Sequence, residues 1–382
     1  MAKLSIALLK SFVSSYVDDQ KISVDSFVET RDNSVGLLDT LGKIYTNWQN
    51  YADKLAILDG EDLSFGKSVE EWSQDLIMPV AFDASGATTL APHDSTYRPV
   101  SFSYTLGKKT IPQTIRNNDI ERAVHNIAQF SDVIAGKTKA MYDSETMFRY
   151  AIKRQALGVL AGRCLYQMDP TNADVTLATE GASISGAHQV NEVFGVTATG
   201  KTYILVKPIA SGAGLTGTTA IAGGYLIENQ LSVEVDEVTD ATSGEEFIEQ
   251  VLKDVEVAED YSEGRSLNGN TLGGNPEAGL VLVMKQGINP ALKVKTLAGA
   301  FHRDEMAIPA KMVTIPDFGD ADDDVMAMLI DARICKCHNT YRAVRENQNG
   351  QGDFLNYFYH SENTCHISRN CYVRIYVKKA SE

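Results

Sequence analysis

The sequence predicts a mixed α+β fold in which one long helix lies beside antiparallel strands. Three observations predict it. No proline occurs from Gln113 to Asp169, and there Met141, Phe148, Ile152 and Val159 are spaced seven, four and seven apart, as on one helix face. The segment CYVRIYVKK alternates strictly, with Cys371, Val373, Ile375 and Val377 on one side and Tyr372, Arg374, Tyr376 and Lys378 on the other. MVTIP and VMAMLID are strand-like runs that bracket an acidic turn.

In chain order, residues 1–41 read as an arm with a short amphipathic helix, because Ile6, Leu9, Val13 and Tyr16 fall three or four apart. The apolar run from Leu4 to Leu9 is broken by Lys10 and lacks a small-residue cleavage site, so no signal peptide is expected. Residues 42–112 mix short strands, polar turns, a brief helix around Val69 to Leu76 and prolines at 79, 92, 99 and 112. This is an extended excursion, and extended segments cannot bury their own apolar residues. Trp48, Tyr51, Leu55, Phe65 and Trp72 are therefore expected to be covered by a neighbouring subunit, with Lys67 either solvated or an intersubunit salt-bridge donor.

On the long helix Asp143 and Glu145 lie towards the start, and Lys153, Arg154 and Arg163 later, as the helix dipole prefers. Residues 168–224 are rich in Gly, Thr, Ala and Ser and read as a small β-rich insertion. GYLIENQLSVEVDEV has a strand pattern. Ser243 with Glu246 three residues on is a capping box for a helix carrying Phe247, Val251, Leu252 and Val255 on one side. Asn289-Pro290 opens another helix.

The 382 residues are 43% apolar and 22% charged, which permits a sizeable core and excludes wholesale disorder. The net charge of −15 argues against sequence-specific nucleic-acid binding, which draws on Lys and Arg displacing counterions. A container for DNA is compatible with it. Five cysteines, an odd number in a chain too long to need staples, read as reduced thiols. No window approaches the ~18 apolar residues of a membrane span.

Several motifs imitate chemistry. HRD at 302–304 and DFG at 317–319 suggest a phosphotransfer enzyme, with GAGLTG at Gly212 to Gly217 upstream. The residue five after Asp304 is Pro309, which cannot hold a metal ion where a kinase places Asn. Lys285 lies 68 residues after Gly217, too far for the strand that follows a glycine loop. FGKS at 65–68 imitates a phosphate loop, but five residues separate Gly60 from Gly66, and Glu61 and Asp62 among them would repel phosphate. Asp320, Asp322 and Asp324 match the first three ligands of a calcium loop, yet Val325 replaces the sharp-turn glycine and Asp331 the final Glu. Cys335, Cys337 and His338 with Cys365, His366 and Cys371 lack the CxxC knuckle of a zinc site, and CxC on a strand puts both sulfurs on one face, as core packing would. No catalytic, metal-binding or cofactor-binding residue is assigned, and no cofactor is expected.

Three stretches carry a family resemblance. They are FGKSVEEWSQDL, IPQTIRNNDIERAVHNIAQFSDVIAGKTKAMYDSETMFRYAIKRQ, and MAMLIDARICKCHNTYRAVRENQNGQGDFLNYFYHSENTCHISRNCYVRIYV. In this order they resemble the major capsid (head) proteins of tailed bacteriophages, of the phi-29-like podovirus type. The resemblance implies an HK-97-like fold: N-terminal arm at 1–41, extended E-loop at 42–112, P domain with a spine helix at 113–167 (helix near 131–164), β-rich insertion at 168–224, P domain continued at 225–282, A domain at 283–340 and closing P-domain strands at 341–382. The insertion is longer than that pattern leads one to expect. The resemblance also implies a non-enzymatic protein that self-assembles into hexameric and pentameric capsomers of an icosahedral or prolate head around double-stranded DNA. Its partners would be itself, scaffolding and portal proteins, with no membrane. It would reside in the virion and assemble in the host cytoplasm. A β-rich tail or adhesion module is the alternative, with the insertion as its functional core, but it leaves the long helix unexplained.

Overall fold

The computed structural model describes residues 51–379 other than 64–65, 67–68, 75–81, 83–96, 102, 106–107, 117–126, 276–278, 298–309 and 319–323. Its first strands are β1 (Glu70–Gln74), β2 (Tyr97–Ser101), β3 (Ser103–Thr105) and β4 (Lys109–Arg116). The expected helix at Val69 to Leu76 is instead strand β1, antiparallel to β2 with Glu70 opposite Ser101 and Gln74 opposite Tyr97. So short a helix cannot offset its own nucleation, whereas a partner strand satisfies the backbone at once.

Helix α1 (Ile127–Met168) has 42 residues and is about 63 Å long. It contains the expected 131–164 span, but its buried face differs from the expected one. Met141, Lys153, Leu157, Leu160 and Cys164 are buried, while Phe148 is 42% exposed. A repeat of seven drifts around a 3.6-residue helix by about 20° per step. In addition, a lysine occupies a core position that an apolar count passes over.

The larger sheet is five-stranded, in the order β11-β10-β12-β15-β9. Its strands are β9 (Ser232–Val235), β10 (Leu280–Lys285), β11 (Lys311–Ile315), β12 (Val325–Asp331) and β15 (Val373–Lys378). β10 and β12 are continuous apolar runs because both their faces are covered. On one face Val281, Val283, Met328, Ile330, Val373 and Ile375 pack with Leu157, Leu160 and Cys164 of α1. On the other, Leu280, Leu282, Leu329, Tyr372 and Tyr376 pack with Phe247, Val251 and Val255 of helix α3 (Ala241–Glu259). The alternation in CYVRIYVKK is therefore present, but its Tyr/Arg side is a second interior face rather than a wet one.

That second face carries a buried charge cluster. Asp254 of α3 meets Arg265 Nη1 at 2.8 Å and Arg374 Nε at 3.3 Å. Tyr376 OH donates to Asp254 Oδ2 at 3.0 Å, Gln250 Nε2 donates at 3.1 Å, and Tyr372 OH donates to the Asp254 carbonyl at 2.9 Å. Arg374 Nη1 also donates to the carbonyls of Gln230 and Ser232 at 2.6 and 2.9 Å. Burial pulls the Arg374 pKa down against the support of Asp254, and burial together with the Asp254 charge pushes the Tyr376 phenol well up.

The N-cap of α3 is Asp240, with Ser243 as the third residue of a reciprocal capping box, not Ser243 with Glu246. Asp240 Oδ1 accepts from Ser243 N at 2.8 Å, so the helix starts earlier than expected. GYLIENQLSVEVDEV is divided: β8 (Leu226–Glu228) joins a small sheet and β9 joins the large one. Gly264 makes that crossing possible. It has φ +69°, and a Cβ there would lie 2.0 Å from the Glu228 carbonyl oxygen. Gly264→Ala is expected to destabilise by about 2–3 kcal/mol, read as a lower urea midpoint with an unchanged slope.

The small sheet, in the order β5-β6-β7-β8, contains β5 (Val175–Leu177), β6 (Val193–Val196) and β7 (Lys201–Leu205). With helix α2 (Gly217–Ala222) it encloses its own core of Leu177, Phe194, Tyr203, Leu205 and Ala220. A further helix, α4 (Ile288–Leu297), has Asn289 and Pro290 in its first turn. The third sheet is built on the hairpin of β13 (Cys335–Asn349) and β14 (Phe354–Ile367). β14 pairs on its other side with β4 from Phe354 to Ser361 and with β3 from Thr364 to His366.

Element ends and expected boundaries do not coincide. Position 282/283 falls inside β10 and 340/341 inside β13, while β8 of the small sheet lies beyond 224. The large sheet takes β9 and β15 from stretches expected in the P domain. Strands distant in sequence complete one sheet, so a linear boundary cuts it.

Candidate functional site: anchoring of the extended segments

Three segments expected to be extended are fastened to one body made by α1 and the β13–β14 hairpin. The first is residues 51–63. Asp53 Oδ1 accepts from Leu55 N at 2.8 Å and sets up a single 3-10 turn, Ala56–Leu58. That turn delivers Leu55 and Leu58, both 0% exposed, into the core beside Leu157 and Leu160.

Above them sits Lys153, also fully buried. Its Nζ meets Asp53 Oδ2 at 2.6 Å, pairs with Asp59 and donates to the Leu55 carbonyl at 3.3 Å. Arg149, one turn earlier, meets Asp59 Oδ1 at 2.6 Å. Two cations of α1 thus grip two carboxylates of the segment. The segment then runs along the outer edge of β13. Gly60 N donates to the Cys337 carbonyl at 2.9 Å, Leu63 N to the Asn339 carbonyl at 2.8 Å, and Asn339 Nδ2 to Asp62 Oδ1 at 2.6 Å. Lys336 Nζ donates to the Ile57 carbonyl at 2.9 Å, and His338 Nδ1 lies 2.8 Å from the Glu61 carbonyl. A Cβ at position 60 would lie 2.3 Å from the His338 ring, so a larger residue there would push that ring off the seam.

The second segment is β1. Glu71 Oε1 accepts from Ser368 Oγ at 2.8 Å, and Oε2 lies 3.4 Å from His366 Nε2. Burial works to raise the Glu71 pKa, but hydrogen bonds from His366, Ser368 and Asn370 outweigh it and hold the carboxyl below its ordinary range. The third is β4. Lys109 Nζ meets the buried Glu145 of α1 at 3.0 Å and stands 3.2 Å from the centroid of the Phe148 ring. Ser361 Oγ donates to Glu145 Oε2 at 2.9 Å. Burial lowers the Lys109 pKa against the support of Glu145.

Beyond the bulge at Asn339/Tyr341 the hairpin changes character. β13 alternates buried and half-buried up to Thr340, then runs mostly exposed to Asn349. Tyr142, Met147 and Phe148 of α1 are exposed alongside. Asn349 Oδ1 closes the hairpin turn by accepting from Gln351 N and Gly352 N, each at 3.0 Å.

Of the residues expected at subunit contacts, Trp48, Phe65 and Lys67 lie outside the described residues. Tyr51 is half-buried, and Trp72 takes its place in β1 with its backbone opposite Pro99. Leu55 needs correction: its own subunit buries it completely, so no neighbour is required to cover it. The gripping residues Asp53, Asp59, Glu145, Arg149 and Lys153 were not singled out as a site. A faint signal existed, because Lys153 stands four residues before Leu157 on the stripe that continues to Leu160 and Cys164.

The imitation motifs have plain places. Phe318 is core, and Asp317 lies 3.6 Å from Arg154. HRD and residues 319–323 of the acidic turn lie outside the described residues. Thr216 caps α2 at the end of GAGLTG. Cys335, Cys337 and Cys365 are buried in strands, and among the described residues no three His, Cys, Asp or Glu side chains gather as a metal site.

A long helix crossing beneath a five-stranded sheet, with a hairpin and extended arms clamped to it, is the fold of a phage capsid subunit. It superimposes on a chain of the capsid structure of Staphylococcus phage Andhra with a TM-score of 0.58 at 9% identity, covering 89% of this chain and 87% of that one. A chain in the structure of the head fiber and inner core protein of native bacteriophage P68 gives 0.55 at 10% identity, over 88% and 87%. One in the capsid structure of the Cyanophage P-SCSP1u gives 0.52 at 8%, over 89% and 92%. Within that class residues 226–375 match the family model described as Phi29-like phage major capsid protein. No curated protein matches the chain by sequence. The family match and the capsid fold together support a shell-forming role.

Proposed function

We propose that the subunit builds hexameric and pentameric capsomers that close an icosahedral or prolate head around double-stranded DNA. In this reading the roles are HK-97-like. α1 is the spine of the P domain with the β13–β14 sheet, and the five-stranded sheet with α3 and α4 forms the A domain. Residues 1–41 are the arm, 42–112 the E-loop, and the β5–β8 module a surface or capsomer-bridging insertion. One observation carries the proposal: the three extended segments are fixed at their roots by ion pairs and hydrogen bonds on a rigid helix-hairpin body. Segments aimed in this way can reach neighbours in a repeatable geometry.

Many identical contacts of modest strength then close a symmetric shell, each burying apolar area at roughly 25 cal/mol per Å² and summing through avidity. Tyr51 and Trp72, with Trp48, Phe65 and Lys67, are the proposed contact residues. Scaffolding and portal proteins are the proposed partners. DNA is enclosed without sequence-specific binding, and no catalytic activity or membrane partner is invoked. The proposed assembly compartment is the host cytoplasm.

Negative-stain microscopy of the expressed protein, with and without a co-expressed scaffold, tests this. Shells or capsomers are expected; a compact single subunit at high concentration in both cases would overturn it. Trp72→Ala is expected to weaken assembly more than folding, with shell yield falling severalfold. Sedimentation and urea titration read the two effects separately.

A further inference from the structure

Cys337 and Cys365 stand directly opposite each other in the β13–β14 ladder. Both are free and both are buried. The Cys337 carbonyl turns away from β14 and accepts from Gly60 N at 2.9 Å. An antiparallel strand residue sends its N–H and C=O to the same side, so Cys337 and Cys365 are a non-hydrogen-bonded pair. In such a pair the Cα atoms lie about 4.5 Å apart with the side chains closest. That separation is inside the span of about 4.4–6.8 Å that a disulfide bridges. Their side chains face each other across the ladder on the same side of the sheet. The neighbouring Cys365 thiol, helped by the nearby charges of Arg149 and Lys153, favours the thiolate at Cys337 against burial.

We propose that Cys337 and Cys365 form a built dithiol that closes to an intrasubunit disulfide on meeting a peroxide-class oxidant. The Cys337 thiolate attacks one peroxide oxygen, breaking the O–O bond, giving a sulfenic acid and releasing hydroxide. The Cys365 sulfur then displaces the sulfenic oxygen as water while its proton is lost. In sum two thiols and one hydrogen peroxide give one disulfide and two waters. The bridge encloses residues 338–364 and pins the hairpin just before its bulge, on the seam where residues 59–63 ride. Only the expectation that the oxidant is met after the shell leaves a reducing cytoplasm rests on the shell reading.

The test uses the full chain, unassembled and assembled, treated with hydrogen peroxide, alkylated and digested. A peptide linking Cys337 to Cys365 is expected, with loss of two hydrogens from the intact mass. The thermal midpoint should rise by several degrees, reversed by dithiothreitol. Cys371→Ser should keep the link and the shift, and Cys365→Ser should lose both. Recovery of Cys337 and Cys365 as free alkylated thiols, as oxygen adducts, or linked to other cysteines would overturn the proposal. Peptide mapping of the unsubstituted chain decides this even where a variant fails to fold. The unassembled arm also reports on the link whether or not shells form, so the two readings fail separately.

Discussion

Lys153→Ala is expected to destabilise the subunit by about 3–5 kcal/mol, the cost of removing one partner from a buried ion pair. Lys153 is 0% exposed and answers Asp53 and Asp59 at once, so its loss leaves two carboxylates facing one remaining cation, Arg149. The loss also opens a cavity above Leu55 and Leu58, where Lys153 now holds the Leu55 carbonyl. Asp59 is about one-third exposed and can turn to water, whereas Asp53 is largely enclosed. Asp53→Asn should therefore cost more than Asp59→Asn. Because the 51–63 segment is stitched to β13 as well, proteolysis should cut preferentially in that segment before global unfolding. The checks are urea titration and limited digestion with mass spectrometry. A Lys153→Ala subunit of unchanged midpoint, with the segment still protected, would show that the apolar contacts of Leu55 and Leu58 suffice.

What the sequence revealed and what it hid divide along one physical line. Local periodicity was legible: the helix without proline, the strand-like runs of β11 and β12, and the alternation of β15. Each follows from neighbours in sequence facing a common surface. Burial by distant partners was not. Leu55 looked stranded because its cover comes from residues 157 and 160, a hundred positions away. The stretch from Val69 looked helical because its strand partner stands some 30 residues on, across a prolyl segment. Lys153 and Glu145 read as ordinary helix-surface charges, since nothing in a single sequence shows that Asp53 or Lys109 returns to them. The same holds for Asp254, on the inward face of α3 beside Val251 and Val255, where a lone acid reads as a slip in the apolar stripe.

That acid governs the second large effect. Asp254→Asn preserves shape and removes one charge, leaving Arg265 and Arg374 buried together without an anion. A loss of about 3–5 kcal/mol is expected, since breaking such a cluster strands uncompensated charge. Tyr376→Phe removes a single hydrogen bond to the same carboxylate and should cost only about 1 kcal/mol. The contrast between these variants separates charge compensation from packing, because neither changes volume appreciably. Location sharpens the expectation. Arg374 also holds the carbonyls of Gln230 and Ser232, so the cluster fixes β15 against β9 and seats α3 over both. Asp254→Asn should thus loosen the α3 face first, seen as faster amide exchange along Phe247, Val251 and Val255, while the α1 face keeps its protection. Equal urea midpoints for Asp254→Asn and Tyr376→Phe would mean that the two arginines find water or other acceptors, and that packing by Tyr372, Tyr376 and Phe247 holds this face of the sheet.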